Sequence, residues 1–179
     1  MLLPKKTRFL FDELSLQTYL DDTSSLDQEI KRHSGEQFIG FKIFEEEFLL
    51  PMILVREIIM LPTITYVPKA VFAVEGIISL RGEIMPVLNL RRFLRFSRGS
   101  ATPSTRVIIL QSDKGGFGII VDEITEFAWL EKSEIDSIPQ NFFPEEYRIL
   151  SGVSRFADKI RGILDVEQLV QELIGNIDN

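Results

Sequence analysis

The chain has no cysteine, a single histidine and no excess of positive charge. Without cysteine there are no disulfides and no thiolate chemistry, which suits the cytoplasm. With His33 alone, histidine-based acid–base catalysis and multi-histidine metal sites are closed. The net charge of −7 argues against non-specific binding to nucleic acid or to an anionic membrane, since both need basic surface. Long apolar runs are missing too, and none approaches the roughly 20 residues of a membrane helix. Phe48–Val55 is broken by Pro51, and Ile58–Leu61 ends at Pro62. The opening Met1-Leu2-Leu3-Pro4-Lys5-Lys6 lacks the apolar core of a signal peptide after its basic residues. These absences predict a cytoplasmic protein with no direct membrane insertion and no nucleic-acid partner.

What is present is the material of a globular core. Hydrophobic residues make up 45% and charged residues 26% of 179, enough for one domain or for two small subdomains that share a core. The stretch Gly76–Leu90, GIISLRGEIMPVLNL, organises the rest. Two apolar runs, Ile77–Leu80 and Ile84–Leu88, flank Arg81-Gly82-Glu83, a pattern that predicts a β-hairpin with Gly82 in the reversal. Both runs are apolar at nearly every position and are expected to lie between two layers of core. Arg81 sits at the tip, a charge beside apolar surface, placed to meet a partner.

Residues 1–36 read as a separate extension. Phe9 and Phe11 form a small apolar cluster, and Ser25 with Gln28 suggests a short helix over Leu26–Arg32. Beyond it, Ile39, Phe41 and Ile43 alternate on one strand face, and Glu47–Leu50 returns. Met52, Val55, Ile58 and Ile59 fall at helical spacing. Thr63–Val67 is rich in β-branched residues and stops at Pro68, after which a short helix is expected over Ala70–Val74 with Gly76 at its end. Asn89–Leu94 reads as a short helix or turn. The cluster Arg91, Arg92, Arg95 and Arg98 reads as a solvated face. Ser97–Ser104 is the clearest internal linker and splits the strands into two groups. Strands are then expected over Thr105–Gln111, Phe117–Val121, Ile124–Leu130, Ile149–Phe156 and Ile160–Leu164, with Phe127 and Trp129 on one face. Asp165 and Gln168 start a last helix, whose stripe Val166, Leu169, Val170, Leu173 and Ile174 seals the core. Many short strands with Gly and Pro turns predict an all-β fold closed into barrels.

Catalytic groupings are sparse. Glu45-Glu46-Glu47 lies in a turn where neighbours point apart. Gly115-Gly116-Phe117-Gly118 has no following Lys-Ser/Thr and precedes a strand, unlike a phosphate loop. Asp122, Glu123 and Glu126 can be read as an acid pair or a calcium site, or Asp122 as a cap on nearby backbone N–H groups. A small β-barrel enzyme or ligand-binding protein built on Asp122, Glu126 and the arginine cluster is the reading from another class. No cofactor is implied.

Gly76, Leu80-Arg81-Gly82, Pro86-Val87 and Leu90-Arg91 resemble the pattern of the CheW-like domain family. Ser79 and Asn89 depart from it, where Asn and Asp are usual, yet both keep a small polar group. Val55-Arg56-Glu57-Ile58, Val67-Pro68, Gly118 with Val121-Asp122 and Glu126, and Leu164-Asp165 with Leu169 follow in family order; Gly162 departs, where an apolar residue is usual. The resemblance covers about residues 37–174. It implies two five-stranded Src-homology-3-like β-barrel subdomains around a shared hydrophobic core, with the domain over 37–175. It implies a non-catalytic scaffold that couples the cytoplasmic tip of methyl-accepting chemoreceptors to the regulatory domain of the histidine kinase CheA, recruited to receptor arrays at the inner membrane. From the residues alone, Glu57 and Arg81 read as surface charges that can pair with each other; carried over from the family by position, Val55, Glu57 and Arg81 become the receptor-facing residues, near the groove between the subdomains. The motifs do not mark which residues face the kinase. An adaptor of the same fold in a pathway for pili, development or second messengers is the alternative.

Overall fold

The structure, a computed structural model, describes residues 35–97, 99–138, 148–156 and 159–175. The expectations for the amino-terminal segment, including Phe9, Phe11, the helix over 26–32 and His33, lie outside the described residues, as does Arg98. Residues 36 onward form one compact unit.

The first hairpin pairs β1 (Glu36–Ile43) with β2 (Glu46–Pro51), as expected, and sets Phe41 opposite Phe48. Ile39, Phe41 and Ile43 are buried on one face, and Phe38 and Leu49 are buried on the other. A single 3-10 turn, Met52–Leu54, leads into β3 (Val55–Met60). The helical spacing of Met52, Val55, Ile58 and Ile59 is therefore overturned. A short apolar run fits both periods, and β-branched residues at 55, 58 and 59 favour the pleated sheet. The helix expected over 70–74 is absent as well. A turn at Phe72-Ala73 runs into β4 (Val74–Leu80), with Gly76 inside the strand. One helical turn nucleates poorly, whereas β4 gains a full ladder with its neighbour. The β-branched stretch before Pro68 contributes one bridge, Thr65 with Ile77, through two 2.9 Å backbone bonds that cover the edge of β4.

β4 pairs with β5 (Glu83–Asn89), and Asn89 caps the short helix α1 (Leu90–Phe93) by accepting from the Arg92 backbone N–H. β6 (Arg106–Ser112) and β7 (Gly115–Val121) form the next hairpin. β8 (Glu123–Leu130) follows, then a 3-10 turn at Lys132–Glu134 and the two-residue β9 (Ile135–Asp136). β10 (Leu150–Phe156) and β11 (Lys159–Leu164) form the last hairpin, and α2 (Val166–Gly175) ends the described chain. Asp165 Oδ1 accepts from the Gln168 backbone N–H at 2.9 Å, the expected cap. The Gln168 side chain donates to Glu172 instead of turning back to complete a capping box.

The strands form two curled sheets, so the all-β expectation holds. The first runs β8-β1-β2-β11-β10-β9 and the second β3-β6-β7-β5-β4. β9 adds a short sixth strand to the first. Each sheet has one parallel junction, β2 with β11 and β5 with β7. The linker Ser97–Ser104 joins α1 to β6 and so stays within the second sheet. The chain crosses between sheets elsewhere, at Met52–Leu54 and at Asp122. Gly, Ser and Pro mark a loop but carry no record of what the loop connects.

Each sheet encloses a small core. Phe38, Leu49, Leu130 and Ile163 fill the first, and Ile78, Met85, Val87, Val107 and Ile109 fill the second. The largest cluster lies between them. There Ile39, Phe41 and Phe48 from the first sheet meet Leu88, Ile108, Leu110 and Ile119 from the second, with Val166, Leu169 and Val170 of α2 closing one side. The expectation that both faces of β4 and β5 are buried fails at the second sheet's outer surface, where Ile84 is 70% exposed. No helix among the described residues is long and apolar enough to cross a membrane.

The parallel junction of the first sheet carries an ion pair, Lys159 Nζ to Glu47 Oε1 at 2.6 Å. That hydrogen bond, aided by the charges of Lys159, Lys42 and Arg161, holds the Glu47 carboxyl below its ordinary pKa against the opposing cost of burial. A carboxylate depressed in the folded state stabilises above its unfolded pKa and loses that contribution as pH falls through the folded value. Urea midpoints measured from about pH 5 down to about pH 3 should fall less steeply in Glu47→Gln than in the parent chain. Identical slopes would contradict the pair.

Candidate functional site

The turn at Arg81-Gly82 presents an exposed charge at the end of the β4–β5 hairpin of the second sheet. Leu80 pairs with Glu83, so the loop has two residues, and both have positive φ, +52° and +85°. This is the geometry that matches strand twist in a tight hairpin. Gly82 adopts it freely, and Arg81 adopts it at a cost. The conformation throws the Arg81 side chain outward, 74% exposed.

Arg81 Nη2 donates to Glu57 Oε2 at 3.0 Å, and the Glu57 side chain is only 19% exposed. The structure thus brings two of the three expected residues together, from β3 and from the β4–β5 turn. Beside them Arg56 Nη1 donates to Glu83 Oε2 at 2.7 Å. Four charges of alternating sign line the rim between β3 and the hairpin tip. An exposed pair of this kind contributes at most about 1 kcal/mol to folding. Of the four side chains Arg81 is the most open to solvent and Glu57 the least.

Val55 is placed differently. A register shift between Val55 and Glu57 makes Val55 face Leu110 and Glu57 face Ile109. Cross-strand partners share a face, and these two belong to different cores. Val55 is partly buried against the seam, so it underlies the rim and does not join the charges. An apolar cavity of about 250 Å³ opens between the second sheet and α2, walled by Val74, Pro86, Leu88, Phe117, Val170 and Leu173. Val55, Glu57 and Arg81 do not line it.

The acidic triplet does not converge on one point. Asp122 meets Arg91, with Oδ2 2.7 Å from Nη2. Glu123 meets Lys42 at 3.6 Å, and Glu126 pairs with Arg161, which is 2% exposed. Three carboxylates serve three cations on three elements, which overturns the acid-pair and calcium readings. The solvated-face expectation for the arginine cluster fails at Arg91 and Arg92, which are partly buried and pair with Asp122 and Glu75, while Arg95 is exposed as expected. Sequence reasoning missed Arg56 and Glu83 at the rim. Their opposite signs flank Glu57 and Gly82 in the chain, but only the strand register shows that they meet. Arg161 gave no signal, being one of two charged residues in a short strand.

Two small SH3-like subdomains sharing one core define an all-β class. Within that class, the chain belongs to the CheW-like domain family, whose model matches residues 37–173. It is 27% identical over 136 residues to the chemotaxis protein CheW of Helicobacter pylori, covering 76% of this chain and 82% of that one. It is 28% identical over 139 residues to the chemotaxis protein CheW of Bacillus subtilis, covering 78% and 89%. Among solved structures it is similar to the scaffolding protein TtCheW of Thermoanaerobacter tengcongensis, with a TM-score of 0.69, 26% identity, and coverage of 74% and 85%.

The turn geometry makes its own prediction. Asn tolerates positive φ, so Arg81→Asn should leave folding stability within about 0.5 kcal/mol of the parent. Arg81→Val places a β-branched residue there and should lose about 1–2 kcal/mol. Urea unfolding separates the two; equal losses would contradict the left-handed turn.

Proposed function

We infer that this chain is a non-catalytic adaptor of chemotaxis signalling that couples chemoreceptor tips to the histidine kinase CheA. In this reading it is cytoplasmic and is recruited to receptor arrays at the inner membrane. The adaptor domain spans 37–175, and residues 1–36 are an extension. The observation that carries the reading is the exposed Arg81 guanidinium, held at a rigid hairpin tip against Glu57 in a chain of the CheW-like family. The relatives are named chemotaxis proteins, and the structural neighbour is titled a scaffolding protein.

The mechanism is recognition without bond chemistry. A receptor tip, a helical hairpin, lies in the groove between the two barrels, against the rim beside β3. Val55 supports the apolar floor, while Glu57 and Arg81 set register by offering charges that a helix can meet with its own. Apolar anchors then supply most of the affinity and the rim charges most of the specificity. A second face takes the kinase's regulatory domain, and a rigid body with two faces lets receptor state bias the kinase.

A second reading keeps the adaptor and changes the pathway, to pili, development or second-messenger control. It is favoured by one relative that bears another name, protein PilI of Pseudomonas aeruginosa, 30% identical over 86 residues and 48% of each chain. Removing residues 1–36 and identifying the receptor that still binds distinguishes the two.

Arg81→Asp and Glu57→Lys should each weaken binding of the receptor tip by about 1–3 kcal/mol while the fold persists. Titration calorimetry with the purified tip measures this. Unchanged affinity in both variants would remove these residues from the interface.

A further inference from the structure

Asp122 is the one residue between β7 of the second sheet and β8 of the first, so it stands where the chain crosses between barrels. Its polar contacts reach both sides. Its backbone N–H donates to the Lys42 carbonyl at 2.9 Å, and its Oδ2 accepts from the Phe44 N–H at 2.5 Å, both on the first hairpin. From α1, packed with the second sheet, Arg91 Nε donates to both carboxylate oxygens at 3.0 and 3.1 Å, and Nη2 donates to Oδ2 at 2.7 Å. The two side chains are 28% and 20% exposed. A forked, charge-assisted contact of this kind fixes orientation as well as distance.

The guanidinium is held from several other directions. Nη1 donates to the Ser97 carbonyl at 3.0 Å. The Phe44 ring lies 5.6 Å from Cζ, and the Phe96 ring lies 5.7 Å from the Phe44 ring. The loop passes so close at Gly99 that a Cβ there would sit 2.6 Å from Cζ. Phe44 itself has a positive φ of 61°. A non-glycine residue in that conformation persists only where its surroundings over-determine it.

We propose that the Asp122–Arg91 pair, locked by Phe44, is the joint that sets the angle between the two barrels, and that it is thereby a positioning pair for the partner-binding rim. The other crossing is the short turn Met52–Leu54, next to Val55 and Glu57. A change of angle at Asp122 swings the first barrel against that rim. The second half of the proposal rests on the adaptor reading above; the first half does not.

The chain has no native cysteine, so labelling is free of background. Nitroxides at Ser79→Cys on the second barrel and Ser151→Cys on the first, both exposed positions, report the angle as a distance distribution by pulsed electron spin resonance. Asp122→Asn should broaden that distribution in chains that remain folded by circular dichroism, and should weaken receptor-tip binding about two- to tenfold. Arg91→Lys, which keeps the charge and loses the fork, should broaden it too and serves if Asp122→Asn does not fold. Arg92→Gln breaks the comparable Arg92–Glu75 pair, 3.2 Å and confined to the second barrel, and should leave the distance unchanged. An unchanged distribution in the joint variants, or equal broadening in Arg92→Gln, overturns the joint. Broadening with unaltered receptor affinity overturns its positioning role. Broadening in a protein whose parent form binds no receptor tip upholds the joint and overturns the adaptor reading.

Discussion

Ile39, Phe41 and Phe48 from one sheet and Leu88, Ile108, Leu110 and Ile119 from the other are all nearly inaccessible to water, and they meet in a single apolar seam. Among the described residues, neither barrel has a comparable core of its own. The buried interior of the first barrel is four side chains and that of the second is five, each with a few partly buried neighbours. Small domains bury too little surface to be stable alone, so most of the hydrophobic stabilisation has to come from the surface they hide from each other. Helix α2 serves the same end, since its buried residues Val166, Leu169 and Val170 all point into the seam.

The functional features follow from that constraint. When apolar burial is concentrated between the barrels, the outer rims are free to carry charge. The rim beside β3 does so with Arg56, Glu57, Arg81 and Glu83, two pairs in each of which the arginine is more than a third exposed, so that they add little to the fold. The Asp122–Arg91 contact is of another kind, since it is partly buried and spans a crossing. Apolar contact is non-directional and leaves the angle between two surfaces loosely specified, whereas a forked ion pair specifies it. Seam and joint divide the work, the first holding the barrels together and the second orienting them.

The hairpins were legible in the sequence because run, turn and run each have a local cause. Gly82 and the turn after Ser112 stand between β-branched segments that can only fold back. The cap at Asp165 and the stripe on α2 were legible for the same reason. The two short helices expected around Val55 and Ala70 were not there, since brief apolar segments fit either period and only the pairing partner decides. The allotment of strands to sheets was also hidden: β1 pairs with β8 from far along the chain, and no local pattern marks that. At the site, family resemblance pointed to Glu57 and Arg81, and the structure brought them into contact. Arg56, Glu83 and the bulge that turns Val55 away required the register.

Differential scanning calorimetry tests the shared seam most directly. If the barrels depend on one core, the chain unfolds in a single transition whose calorimetric and van't Hoff enthalpies agree. Two separable transitions, one for each barrel, would contradict the account.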